Sequence, residues 1–300
     1  MENACYQYSN YVEKYVEKWK RLIKLSREFT IINKIRNYNL YLFNFKKKGF
    51  VKKIIMKNKR KIYEIEYDET VIFKKRITRF TVSFEFKNKE SNLINVNENF
   101  AHLHDSGRLE ELLLEGHELL IKYIDKEGRK TKWDVIAVKI NKEIILINSA
   151  FHRYIAENIL KDEKISPLGK VLTVKSEVKY KKSRLDFYVE TKKEKIYIET
   201  KGCTLVENGI AKFPGAPSSR AIKHLNDLME LKEKGFRAVV LILIFRKSSY
   251  FQPENKIDPL FAETFYNVME KGVEVYPLLL DYKDKKVIFE RKIEILEKSF

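Results

Sequence analysis

Two short segments with strand-like alternation, joined by a polar turn, constrain the fold of this chain more than any other feature. The first segment covers Ser183–Glu190, the second covers Lys195–Lys201, and residues 191–194 form the turn. Apolar and polar side chains alternate along both segments, as they do in a strand with one buried face. The pattern predicts an antiparallel hairpin.

The apolar face determines the register of this hairpin. A slip by one residue would turn every apolar side chain toward solvent, so the pairing must keep the apolar residues together. The resulting cross-strand pairs are Val189–Ile196 and Phe187–Ile198 on the apolar face, and Glu190–Lys195, Tyr188–Tyr197, Asp186–Glu199 and Arg184–Lys201 on the polar face.

The acidic pair on the polar face points to chemistry. Carboxylates directly opposite each other on a sheet repel, so Asp186 and Glu199 predict a bound cation or proton transfer. Mg²⁺ or Mn²⁺ suits such a pair, because Mg²⁺ takes one or two carboxylates together with a substrate phosphate. Lys201 shares a face with Glu199, where an ammonium could orient water and neutralise charge on a phosphate. The alternative is a solvated face on which Arg184 and Lys201 merely balance the acids.

The hairpin lies within residues 149–300, where helical and strand patterns alternate. The elements follow one another in the order of a helix over residues 150–160, three strands, a second helix and a buried strand over residues 236–245. The second helix follows the N-cap pair Ser218-Ser219 and runs to Lys234. This order predicts an α/β sandwich whose last central strand is reached by a helical crossover.

Both predicted helices carry further candidate site residues. On the first, Glu157 is a candidate third metal ligand, and a surface acid is the alternative. On the second, four polar residues spaced three or four apart share one face, where they could contact phosphate oxygens or simply face solvent. These residues are Arg220, Lys223, His224 and Asp227.

Residues 67–148 carry about five strand-like runs separated by turns, and a short helix is predicted over residues 108–114. These elements predict a small closed barrel of the OB type. His102 and His104 are spaced as on a strand, but without neighbouring cysteines they do not predict a zinc site.

Residues 1–66 form a basic extension with 17 Lys and Arg against 6 Glu, and the whole chain has a net charge of +18. The extension predicts an amphipathic helix followed by short basic strands. So large an excess of cations favours a polyanionic partner, nucleic acid before an anionic membrane surface.

The longest apolar run is eight residues, Ala238–Phe245, whereas a membrane span needs about 20. Two distant cysteines and no secretory signal indicate a cytoplasmic protein.

Several segments resemble the sugar fermentation stimulation protein family, over about residues 67–295. The run Leu205-Val206-Glu207-Asn208-Gly209-Ile210-Ala211, followed by Phe213-Pro214, is the most specific of them. The others are Arg79-Phe80, His104-Asp105-Ser106-Gly107-Arg108-Leu109, Arg184-Leu185-Asp186-Phe187, Ile198-Glu199-Thr200-Lys201, Lys223-His224-Leu225, Gly235-Phe236-Arg237-Ala238-Val239, Asp258-Pro259 with Phe261-Ala262, and Gly272-Val273-Glu274-Val275.

The resemblance implies an OB-like β-barrel followed by a restriction-endonuclease-like α/β domain of the PD-(D/E)xK class. It also implies DNA binding and a regulatory link to sugar (maltose) catabolism, and it matches Asp186, Glu199 and Lys201 to metal-binding acids and a catalytic lysine. The chain departs from the family pattern at Gly215, where Asp is common, and at Ala221, where Gly is usual. Residues 1–66 have no counterpart in the family.

Two functions follow as hypotheses. The first is an Mg²⁺- or Mn²⁺-dependent nuclease in which Asp186, Glu199 and Glu157 hold the metal and Lys201 assists the attacking water. The second is a non-catalytic DNA-binding regulator on the same scaffold. The sequence does not distinguish RNA from DNA as the bound nucleic acid, and it does not determine whether the protein forms a homodimer. The residues predicted to contact nucleic acid are Arg79, Arg108, Arg184, Arg220, Lys223 and His224.

Overall fold

The computed structural model describes residues 59–87 and 99–298, which belong to one compact unit. The helix and the basic strands predicted for residues 1–58 lie outside the described residues. Among the described residues, no helix has the length and apolar character needed to cross a bilayer.

A small barrel follows the first strand. Its five-strand ring runs β4-β3-β2-β5-β6 and closes by parallel pairing of β4 with β6, while β7 extends β6 outside the ring. The OB-like prediction is confirmed. The helix predicted over residues 108–114 is wrong, because this segment forms turns. The barrel strands are β2 (Glu69–Thr78), β3 (Thr81–Phe86), β4 (Phe100–His102), β5 (Glu118–Tyr123), β6 (Trp133–Ile140) and β7 (Glu143–Leu146).

A mixed seven-stranded sheet forms the centre of the second half. Its order is β1-β16-β15-β13-β10-β9-β8, with β10, β13 and β15 parallel to one another and the outer strands antiparallel. Its strands are β1 (Arg60–Glu64), β8 (Thr173–Tyr180), β9 (Ser183–Glu190), β10 (Lys195–Cys203), β13 (Arg237–Ile244), β15 (Glu274–Lys283) and β16 (Lys286–Lys292).

Three helices and a smaller sheet cover the central sheet. The helices are α1 (His152–Lys161), preceded by a 3-10 turn at Ser149–Phe151, α2 (Ser219–Glu233) and α3 (Pro259–Glu270). The N-caps of α2 and α3 are Ser218 and Asp258, whose side chains accept backbone N–H bonds of the first turn. The smaller sheet contains β11 (Leu205–Glu207), β12 (Ile210–Phe213), β14 (Tyr250–Pro253) and β17 (Glu294–Ile295).

Two apolar cores lie on opposite faces of the central sheet. One face packs on α2 and α3, while the other packs on α1 and shares a core with the inside of the barrel. Barrel and sheet therefore form a single folded body. Because β13 is buried on both faces, its sequence is apolar almost throughout, which explains the unbroken run of residues 238–245.

The boundary predicted for the basic extension is wrong by several residues. Arg60–Glu64 does not belong to a separate extension, because it pairs as β1 with β16 at the edge of the central sheet. The hydroxyl of buried Tyr282 donates a hydrogen bond to the Ile65 carbonyl, 2.6 Å away, and so fixes the chain directly after this strand. The sequence predicts a strand over residues 62–66, which overlaps β1, but the partner strand β16 lies more than 220 residues away, so local patterns do not reveal the pairing.

Gly202 is required where α1 crosses β10. The ring of His152 lies directly on Gly202 and stacks on Phe245, with ring centroids 5.0 Å apart. A Cβ atom at Gly202 would stand 2.1 Å from His152 Cε1, far inside van der Waals contact. The backbone beside Lys201 can therefore approach α1 only because residue 202 has no side chain.

Gly202→Ala is expected to lower the free energy of unfolding by about 1–3 kcal/mol, the usual cost of overpacking. In the His152→Ala background the same glycine substitution should cost much less, because the clash is with the imidazole. Urea unfolding followed by circular dichroism measures both.

Gly215→Ala is the matched control, since a Cβ there meets nothing within 4 Å and the backbone is not left-handed. It should change stability by less than about 0.5 kcal/mol. Equal losses for both glycine variants would contradict the assignment.

Candidate functional site

Glu199 is a buried carboxylate in the middle of the central sheet. Only 3% of its surface is exposed. Its Oε1 atom accepts hydrogen bonds from the Lys201 ammonium on the same strand and from Nδ1 of His224 on α2. Lys201 is itself mostly buried, with 14% of its side chain exposed. A carboxylate and an ammonium two residues apart thus meet on the face that α2 covers.

The second oxygen of Glu199 is different, because Oε2 is buried and has no hydrogen-bond partner. Burial alone would raise the pKa of Glu199, but the Lys201 charge and the His224 hydrogen bond outweigh it and hold the pKa below its ordinary value. A buried, ionised oxygen without a donor is costly. A cation is the natural partner for such an atom.

Asp186 approaches Glu199 where the hairpin opens. The predicted pairing of β9 with β10 is confirmed from Glu190–Lys195 to Phe187–Ile198, and the ladder then stops. At that point Oδ2 of Asp186 accepts a 2.7 Å hydrogen bond from the backbone N–H of Thr200 and another from the Thr200 hydroxyl. The side chain thus takes the position that a backbone carbonyl would hold in a continued ladder.

The side chains of β9 also change from one side of the central sheet to the other at Asp186. Leu185 packs in the core under α2 and α3, whereas Phe187 packs in the core shared with the barrel. Residues two apart on a regular strand would share one face. On β8, Glu177 occupies the facing position between the Ser176–Phe187 and Val178–Leu185 pairs, and its φ of 56° lies in the left-handed region. This irregularity aims Asp186 at β10.

Burial raises the pKa of Asp186, and the nearby Glu199 carboxylate raises it further, against the opposing effect of the Thr200 hydrogen bonds. The two acids therefore titrate in opposite directions from their ordinary values. Such divergence within one site is typical of functional carboxylates. A divalent cation fits here because it would pair with Glu199 Oε2 and relieve the repulsion that acts on Asp186.

Glu157 does not join this pair. It lies on α1, which packs on the opposite face of the sheet, and its carboxylate pairs with Lys161 one turn along the same helix. Within residues 59–87 and 99–298 there is no group of three or more His, Cys, Asp or Glu side chains arranged to hold a metal. The two acids would therefore bind a cation together with water or substrate oxygens.

The residues predicted to share one face of α2 differ in burial and in their contacts. His224 is buried against Glu199, which makes it a positioning residue rather than a contact to nucleic acid. Lys223 contacts the Ser183 hydroxyl and lies 3.4 Å from the buried carboxylate of Asp227. Arg220 is exposed at the beginning of the helix.

Arg184 stands apart from the site. It does not pair with Lys201, since the ladder ends before that point, and its guanidinium lies 3.7 Å from Glu177 with two thirds of the side chain exposed. The reversal at Asp186 explains this position: neighbouring Ser183 and Leu185 face α2, so Arg184 points away from it.

Arg79 and Arg108 line a cleft of about 360 Å³ between the barrel and the central sheet. The opposite wall begins at Gly202, directly after Lys201, and continues through the loop that enters α2. The cleft therefore places the basic side chains of the barrel opposite Gly202, the residue that follows Lys201 in the sequence.

Arg76 organises the barrel side of this cleft, a role that sequence analysis did not find. Its guanidinium donates hydrogen bonds to the carbonyls of Gly107 (2.8 Å), Arg108 (2.6 Å) and Arg79 (2.6 Å). It thus holds together two loops that are about 30 residues apart. No local spacing could reveal it, because every acceptor is a backbone carbonyl.

The comparisons with known proteins agree with this fold. Residues 75–147 match the SfsA N-terminal OB domain, and residues 150–286 match the sugar fermentation stimulation protein RE domain. The chain belongs to the sugar fermentation stimulation protein family. The family homolog of Thermosipho melanesiensis is 40% identical over 237 residues, which cover 78% of this chain and 97% of the relative. The homolog of Methanosphaera stadtmanae is 41% identical over 232 residues, covering 75% and 93%.

A solved member of the sugar fermentation stimulation protein family has the same fold. The structure of Pyrococcus furiosus SfsA in complex with Ca²⁺ superposes with a TM-score of 0.71 at 27% identity, covering 79% of this chain and all of that one.

Asp186→Asn is expected to raise the free energy of unfolding of the metal-free protein at neutral pH. Asparagine keeps an oxygen for the Thr200 hydrogen bonds and removes a charge that burial and Glu199 disfavour. Because the fold raises the pKa of Asp186, protonation restores the wild type, so the advantage of the variant is full above that raised pKa and fades as the pH falls toward 3.8.

Urea unfolding in EDTA between pH 7 and pH 4 measures this difference. A variant less stable than the wild type at pH 7, or an advantage that grows toward pH 4, would show that the charge of Asp186 stabilises the fold.

Proposed function

We propose that this protein is a divalent-metal-dependent phosphodiesterase, a nuclease that acts on DNA. The observation that carries the proposal is the unpartnered, buried Oε2 of Glu199, held between Lys201, His224 and the facing Asp186. Two carboxylates can hold Mg²⁺ or Mn²⁺ against a phosphodiester, and an ammonium beside them can offset the charge on the phosphate.

Each residue has a distinct task in this proposal. Asp186 and Glu199 would hold the metal, which supplies a polarised phosphate oxygen and an activated water when bound. Lys201, which contacts Glu199, would orient the water and offset the charge that builds on the phosphate. His224 holds the Glu199 carboxylate from behind, which leaves its other oxygen free for the metal.

The basic charge of the chain supports a nucleic acid as substrate. The net charge is +18, of which +11 belongs to residues 1–66. Arg79 and Arg108, together with the acidic Asp105, Glu110 and Glu111, line the cleft that reaches Gly202 beside Lys201. Arg220 is exposed at the start of α2. Cations in this arrangement would bind the phosphate backbone without reading its sequence.

The Ca²⁺ complex of Pyrococcus furiosus SfsA supports the metal assignment. Ca²⁺ and Mg²⁺ both prefer carboxylate oxygens, so a relative that binds Ca²⁺ is consistent with a divalent site in this fold. Ca²⁺ is therefore a suitable probe for binding without turnover.

Glu199→Gln and Lys201→Met should each lower metal-dependent cleavage of plasmid DNA by about 100-fold or more, because each removes a charge needed at the reacting phosphate. Cleavage is measured by gel electrophoresis with Mg²⁺, with Mn²⁺ and with EDTA. A parallel RNA substrate determines which nucleic acid is cleaved.

Glu190→Gln and Lys195→Met are the matched controls, because these residues face each other farther along the same two strands, away from the acidic pair. Both should retain wild-type cleavage. Equal background nicking by the wild type and Glu199→Gln would reject the nuclease. If binding to DNA were then retained and fell steeply with salt, the protein would be the non-catalytic DNA-binding regulator.

His224→Ala should weaken the binding of Mn²⁺ by about 10- to 100-fold, as losses of groups that orient metal ligands usually do. His224→Asn should restore much of the affinity, because its amide N–H can reach the position of Nδ1. Isothermal titration calorimetry measures both variants, with unchanged circular dichroism as the control for folding. An affinity unaltered in His224→Ala would remove the positioning role.

A further inference from the structure

Phe80 exposes an aromatic ring at the tip of a hairpin. It lies between the end of β2 at Thr78 and the start of β3 at Thr81, and 43% of its surface is exposed. The neighbouring phenylalanines of β3, Phe84 and Phe86, are buried or half-buried and pack edge to face at 5.2 Å. The ring of Phe80 therefore contributes little to the barrel core.

Polar bonds hold this tip in place independently of the ring. The Arg76 guanidinium binds the Arg79 carbonyl, the Arg79 side chain donates to the Ser106 carbonyl, and the Phe80 N–H donates to the Thr78 hydroxyl. The tip is thus a fixed platform that presents an aromatic face to solvent.

Two imidazole rings lie next to the platform, that of His102 at the end of β4 and that of His104 just after the strand. His102 lies 6.2 Å from Phe80 between ring centroids, and His104 lies 4.4 Å from His102. His104 is anchored by a 3.0 Å contact from Nε2 to Asp134, which Arg129 also contacts. The next residue, Asp105, lines the cleft. The three rings therefore form a row that ends where the cleft begins.

Basic side chains follow the same path as the rings. The Arg79 guanidinium lies 5.8 Å from the centroid of Phe80 and also lines the cleft, together with Arg108. Aromatic rings interleaved with cations are the surface on which unpaired bases stack while phosphates are neutralised. In a duplex the base faces are already stacked on their neighbours and cannot use such a platform.

We propose that Phe80 is a base-stacking residue and that the protein binds DNA with an unpaired segment in preference to a continuous duplex. A base stacks on Phe80, with His102 beside it, and the backbone passes Arg79 and Arg108 into the cleft toward Gly202. This inference rests on the proposed action on DNA and specifies the structure of the strand that is bound.

The test is fluorescence anisotropy with a labelled 16-nucleotide single strand of DNA, the corresponding duplex, and an RNA single strand of the same sequence. All binding is measured in EDTA, so that no cleavage can take place. The wild type should bind the DNA single strand more tightly than the duplex. Phe80→Ala should lower affinity for the single strand roughly 5- to 100-fold and change duplex affinity less than about twofold.

Two further variants separate stacking from a general loss of structure. Phe80→Tyr should retain wild-type binding, because it keeps the aromatic face. Tyr250→Ala, at a ring that is 42% exposed on β14, should have no effect on either DNA.

Equal losses on single strand and duplex in Phe80→Ala, or no loss at all, would overturn the stacking role. Tighter binding of the RNA single strand than of the DNA one would overturn DNA as the ligand. If the wild type cleaves DNA but binds duplex as tightly as single strand, this inference alone is overturned. If none of the site variants loses cleavage, the nuclease proposal alone is overturned.

Discussion

A buried carboxylate organises the centre of this molecule. Glu199 lies on β10, an inner strand of the central sheet, with 3% of its surface exposed, where an unpaired charge would cost several kcal/mol. The fold meets that cost with an ammonium from the same strand and an imidazole from α2, both on one oxygen. The position of α2, the direction of Lys201 and the unpartnered second oxygen all follow from this arrangement.

The acidic pair depends on a break in regular structure. Asp186 reaches β10 because the ladder ends after Phe187–Ile198 and the strand reverses its faces. In a continuous hairpin the two carboxylates would project side by side from a flat face. Here one carboxylate occupies the sheet plane beside Thr200 while the other is buried under a helix, so the two differ in environment and in the direction of their pKa shifts.

The barrel contributes to the site because it shares a core with the sheet. One apolar cluster joins the inside of the barrel, α1 and one face of the central sheet, so the walls of the cleft between them rest on a common core. At the mouth of that cleft, Arg76 ties the loops that carry Arg79 and Arg108. Binding and chemistry would thus be positioned on one compact unit.

The sequence by itself determined the hairpin register from Glu190–Lys195 to Phe187–Ile198, the order of helix and strand around it, and the placement of Asp186, Glu199 and Lys201 on adjacent strands. These features follow from local alternation and from the cost of exposing an apolar face. Strand β4, which closes the barrel, was not predicted because its three residues are too few to show a strand pattern. The place of Arg60–Glu64 in the central sheet was not predicted because its partner strand is far away in the chain.

Only the tertiary structure decided which charges serve the site. Residues that share a helix face by spacing, such as Lys223 and His224, are separated by depth, and His224 is buried because α2 packs on β10. Arg184 and Glu157 carry suitable charges but lie on the wrong side of the sheet. Which face a side chain uses depends on twist, bulges and packing partners, and these are properties of the assembled sheet rather than of any segment of the sequence.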